Sequence, residues 1–143
     1  MSQDLEAPYY QPFTPTRKID ADEWDETQKL RPKTQVSKLA QSASVREIDG
    51  GVALTIEAQG TENVPIAVEI NLREGAKLEG VEGNLVTSSD ARVSYPKNSI
   101  RISGGGAEHK YVEVRGALPK LPGQSIYVTG YTPFRRTLEF RWS

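Results

Sequence analysis

From about residue 35 onward, apolar and polar residues alternate. In PIAVEINLRE the residues Ile66, Val68, Ile70 and Leu72 take one parity, and Ala67, Glu69, Asn71 and Arg73 take the other. VALTIEA sets Val52, Leu54 and Ile56 against Thr55 and Glu57. SIRIS, KYVEVRG, SIYVTG and RTLEFRW repeat the pattern with Ile100 and Ile102, Val112 and Val114, Ile126 and Val128, and Leu138, Phe140 and Trp142. A period of two gives each strand one apolar and one wet face, the signature of antiparallel sheets.

The breaks agree. DGG at 49–51 separates SASVREI from VALTIEA as a hairpin turn would. REGAKLEG, EGN, YPKN, SGGG and LPKLPG interrupt the later runs, as turns do in a sandwich or barrel. No strong helical pattern lies in this body, so parallel strands would have no crossovers. The fold class is therefore all-β: an antiparallel two-sheet β-sandwich over residues 35–143 with seven to nine strands. The expected core is Val52, Leu54, Ile56, Ile66, Val68, Ile70, Ile100, Ile102, Val112, Val114, Val128, Leu138 and Phe140.

Residues 1–34 read differently, as an extended arm. Pro8, Pro12 and Pro15 each remove an amide donor and fix φ. DADEWDETQKLRP has acids early, Lys29 and Arg31 late, and Pro32 at its end, so a short helix is expected near Trp24. Tyr9, Tyr10, Phe13 and Trp24 crowd aromatics into a polar segment. They read either as a solvated tail or as an arm docking on a neighbouring protein. The arm is expected to be irregular apart from the helix and to stay out of the core.

Composition removes several classes. The formal net charge is −1, which offers no basic face for nucleic acid. There is no cysteine for disulfides or thiolate metal sites, and one histidine, without HExxH spacing, builds no His-based metal site. No metal or other cofactor is expected. No apolar run approaches the roughly 18 residues of a membrane helix. The first residues lack a basic-then-apolar leader, which leaves a cytoplasmic protein or a fragment of a secreted or periplasmic one.

The candidate binding residues come from two stretches. If Val112 and Val114 point inward, then His109, Tyr111, Glu113 and Arg115 share the outer face of a strand. Such a face is either solvated or able to hold sugars, carboxylates or a polar protein. In VTGYTPFRR, Tyr131 and Phe134 stand in a turn where a stacking platform would lie, with Arg135 and Arg136 alongside to read carboxylates. The alternative is that these aromatics close the core. SGGGAEH is not a phosphate loop, because no Lys-Ser/Thr and no helix follow it. No GxSxG elbow accompanies His109, and no catalytic residue is assigned.

The run GVALTIEAQGTENVPIAVEINLREGAKLEGVEG, followed by YPKNSIRISGGGAEHKYVEVRGALPKLPGQSIYVTGYTPFRRTLEF, carries the elements VPIAVEI, EH before a strand, RGALP and GYTPF. Over residues 45–141 it resembles the C-terminal β-sandwich domains of heparinase II/III-like polysaccharide-degrading proteins. In those proteins the catalytic residues lie mostly in upstream domains that nothing here matches. The resemblance implies a non-catalytic module that binds or supports, with an acidic polysaccharide as its ligand. The arm favours a second function, a structural or assembly subunit docking on a protein partner through residues 1–34.

Overall fold

The computed structural model describes residues 1–10, 20–112 and 121–143. Its strands are β1 Ser2–Tyr10, β2 Lys33–Ile48, β3 Gly51–Gly60, β4 Pro65–Leu72, β5 Lys77–Glu79, β6 Val81–Glu82, β7 Leu85–Val86, β8 Asp90–Tyr95, β9 Asn98–Ser103, β10 Gln124–Tyr131 and β11 Phe134–Trp142. Between β1 and β2 come a 3₁₀ turn, Ala21–Glu23, and a helix, α1, Trp24–Lys29. The strands form a seven-stranded sheet, β1-β2-β3-β11-β9-β8-β5, and a four-stranded sheet, β4-β10-β7-β6. The all-β sandwich expected from the alternation is the fold observed. Its ladders are antiparallel, except where Leu85 of β7 and the isolated Ala107 bridge meet β10 in parallel.

The hairpin signal at Asp49–Gly50 is realised directly. Ile48 pairs with Gly51, and Gly50 has φ 65, a left-handed conformation natural to glycine. Register then fixes the faces. Leu138 lies opposite Leu54, Phe140 opposite Val52 and Ile102 opposite Phe140, so these side chains share the inner face of the large sheet. Ile126 lies opposite Ile70, and Val128 opposite Val68, on the small sheet.

The core sits where the two sheets overlap. Val86, Val93, Ile102, Ile126, Val128 and Leu138 are fully buried there. Of the expected core, Ile102, Val128 and Leu138 are buried. Val52, Leu54, Ile56, Ile66, Val68, Ile70, Ile100, Val112 and Phe140 are half-buried, and Val114 lies outside the described residues. The cause is unequal width. Seven strands face four, so β1 and β2 overhang the small sheet, and β4 is its edge. Val45, opposite Leu54 on that overhang, is 67% exposed. Ala91 and Val93 fill the centre from DARVSY, outside the expected core.

Two expectations are corrected. The arm is not irregular apart from its helix: Ser2–Tyr10 is a strand, paired antiparallel with β2. Its prolines do not forbid this, because an edge strand needs donors on one side only, and the register shifts between Ala7 and Tyr9, around Pro8. The first ten residues of β2 pair with β1, and β3 joins only from Leu39 onward. Residues 33–37 and their β1 partners therefore form a two-stranded ribbon projecting past β3. The helix expected near Trp24 is present as α1.

The second correction concerns GGGAEHKYVEVRG. Among the described residues, 108–112 form no strand. The amides of Glu108 and His109 donate to the Thr129 hydroxyl, and Glu108 N–H also reaches the Thr129 carbonyl, instead of a full strand ladder. His109 and Tyr111 are therefore not alternate residues of a strand, and Glu113 and Arg115 fall outside the described residues.

Candidate functional site

The segment after the three glycines runs along the edge of β10, where Ala107 bridges Thr129 in parallel. Thr129 is fully buried and holds it there. Its hydroxyl accepts from the amides of Glu108 and His109, each at 3.1 Å, and donates to the carbonyl of His109 at 2.7 Å. One donor and two lone pairs are all a threonine hydroxyl has, so the group is fully used.

The His109 ring is half-buried. Its Nε2 lies 2.9 Å from the carbonyl oxygen of Gly130, so Nε2 carries the proton and donates. In the neutral ring Nδ1 is then an acceptor, and it is buried without a hydrogen-bond partner among the described residues. The Tyr131 ring packs on the histidine, centroid to centroid at 4.8 Å. Glu108 does not orient the imidazole, because its carboxylate pairs with the Arg136 guanidinium. A cleft of about 420 Å³ opens here, lined by Glu82, Leu85, Thr87, Glu108, His109 and Lys110. The backbone carbonyl fixes the orientation of the ring, and among the described residues no nucleophile or carboxylate bonds its free nitrogen.

The second stretch resolves into structure as well as surface. Tyr131 is 42% exposed. Phe134, read as a stacking platform, is instead 4% exposed, and this corrects its assignment as a binding residue. Its ring fills the space beside Gly130, where an added Cβ would come within 2.9 Å of the ring. The turn between them is tied inward by Thr132, whose hydroxyl donates to the carbonyl of Thr61 at 2.6 Å and accepts from the amide of Val64 at 2.8 Å. Arg135 is exposed and pairs with Glu57 at 3.2 Å. Arg136 is the arginine that faces the histidine loop, through Glu108.

The structure thus brings together His109 and Tyr131 but not the expected set. Tyr111 is 53% exposed in irregular chain, and Arg135 is engaged on β3. Thr129, Thr132 and Glu108 organise the region without having been singled out as site residues, and Arg136, read beside Arg135 as a carboxylate reader, pairs with the Glu108 carboxylate. Only one sequence signal pointed to them: two threonines flanking a Gly-Tyr pair, in a strand whose other polar positions alternate.

In the arm, Trp24 is 45% exposed at the start of α1. Tyr9 and Tyr10 lie in β1, and Phe13 falls outside the described residues. Residues 1–6 are all exposed along the free edge of β1. Among the described residues no group of three or more His, Cys, Asp or Glu side chains is placed to hold a metal ion, and no helix is long and apolar enough to cross a membrane. No family model, curated protein or solved structure matches the chain.

Proposed function

We propose that this chain is a non-catalytic β-sandwich module that acts by binding, as a structural or assembly subunit docking on a protein partner through its N-terminal ribbon. The observation that carries this reading is the ribbon itself. Residues 33–37 of β2 and their β1 partners project past β3, residues 1–6 are exposed, and among the described strands the outer edge of β1 is unpaired. An isolated two-stranded ribbon is marginal in water, so a projecting one gains most from a surface to lie against. An open edge is also a ready template for another chain.

The polysaccharide reading rests on the resemblance and on Tyr131 beside His109. The burial of Phe134 and the pairing of Arg135 with Glu57 weaken it. A photocrosslinking residue at Leu5, introduced in cells, tests the preferred reading. Discrete protein adducts are expected from Leu5 and not from Thr137, on the outer face of β11. If Leu5 yields no protein adduct while heparin raises the thermal midpoint of the purified chain, the polysaccharide reading replaces it.

A further inference from the structure

We propose that the edge of β4 is an acceptor for one extended strand of a partner protein, which would join the four-stranded sheet and roof the overhang of the seven-stranded one. The inference concerns a surface different from the ribbon's outer edge, and it stands even if that edge binds nothing.

Three observations converge on it. First, among the described strands β4 is paired on one side only, with β10, so alternate residues of this eight-residue strand turn their N–H and C=O groups away from the sheet. Second, the space beside that edge is an apolar groove of about 250 Å³. Its apolar walls are Ile66 and Val68 of β4, Ile56 and Ala58 of β3, and Ala43 of β2, and Gln41 and Ser42 of β2 with Met1, Ser2 and Gln3 at the start of β1 close its far side. Ala67 also lines it although its side chain belongs to the opposite parity, so the backbone edge of β4 is part of the wall. Third, the uncovered floor continues along β2 to Val45, which is 67% exposed on the inner face.

The shape and polarity select the occupant. Unpaired peptide groups next to an apolar floor fit an extended chain, which satisfies the groups with its backbone and the floor with every second side chain. The inward side chains would be aliphatic, to meet Ile56, Ala43 and Val68. The outward ones would be polar, with Lys favoured opposite Glu69, exposed on the outer face of β4. A second copy of this chain does not fit. Joined through β4, each copy's β2 and β1 would have to lie over the other's small sheet, where that copy's own β3 already lies. A lone strand has no such overhang.

The test uses an eight-residue peptide, matched to the eight residues of β4, alternating Val or Ile with Lys or Thr. A scrambled peptide of the same composition is the control. With peptide in excess over its Kd, alternate β4 amides should exchange about tenfold more slowly or better, while β1 amides are unchanged. Ala43→Lys, which puts a charge on the groove floor, should weaken binding about tenfold. If Ala43→Lys does not fold, Val45→Lys replaces it, since that side chain is already largely in solvent. No binding at about 1 mM peptide, equal binding of the scrambled control, protection of β1 instead of β4, or self-association protecting β4 would each overturn the proposal.

Discussion

Thr129 shows how much one side chain does in this molecule. It is a polar residue buried completely on a sheet face, yet it closes its own hydrogen bonds by holding the Glu108–His109 segment. Replacing it with Val keeps the shape, strands the amide and carbonyl of His109, and leaves Glu108 N–H only its 3.4 Å bond to the Thr129 carbonyl, so Thr129→Val should cost about 1–3 kcal/mol. Faster amide exchange at Glu108 and His109 would locate that loss, and unchanged exchange there would refute the role given to the hydroxyl. Phe134→Ala should cost about 3–5 kcal/mol in denaturant unfolding, the price of a buried ring; a stacking platform would cost little. Val68→Ala should cost only about 1 kcal/mol, because Val68 is half-buried at the groove and loses part of two methylenes' worth of burial. None of this residue-level detail is legible from alternation. Parity tells which face a side chain takes, and the width of the opposing sheet decides whether that face is covered.

At the scale of elements, the alternation is a sound guide wherever a strand turns one face toward the opposite sheet. β3, β4, β10 and β11 fall on the expected runs, and the hairpin at Gly50 follows from Asp49-Gly50-Gly51. It misled in two places for the same reason, that backbone pairing belongs to the neighbour as much as to the strand. HKY alternates well but finds a threonine hydroxyl in place of a ladder. LEAPYY has no alternation but finds the free edge of β2, and an edge strand need not bury either face. β1 should therefore contribute little to the body's stability. Deleting residues 1–10 is expected to leave the core strands as protected in hydrogen exchange as before, and to strip protection from residues 33–37, which pair only with β1 among the described strands, whereas the Lys38 amide keeps its bond to the Thr61 hydroxyl. Loss of protection in β9 and β11 on that deletion would mean that the ribbon is part of the cooperative body.

For the whole molecule, the decisive fact is that one core serves both sheets. Leu72, Val86, Ile126 and Val128 come from the small sheet, and Ala91, Val93, Ile102 and Leu138 from the large one, in a single cluster. Among the described residues, the opposite face of the small sheet carries Glu69, Asn71, Ser125, the Tyr127 phenol and the buried Thr129. That phenol is raised above its ordinary value first by burial and then by the Glu69 carboxylate. Its raised folded value means that any stability it contributes is complete below about pH 10, the unfolded value, and is lost as pH rises through the folded one. Glu69→Gln should accordingly lower the absorbance-monitored titration midpoint of Tyr127. The shared core predicts that the two sheets unfold together. Leu138 is fully buried at the centre of the large sheet, and Leu138→Ala should cost about 2–5 kcal/mol. In that variant, amides of β10 in the small sheet and β9 in the large sheet should lose protection by the same factor, and the aromatic and backbone circular-dichroism transitions should coincide. A variant in which β9 opens while β10 stays protected would show that the sheets are separately stable, and that the overlap described here is a contact between two units and not their common core.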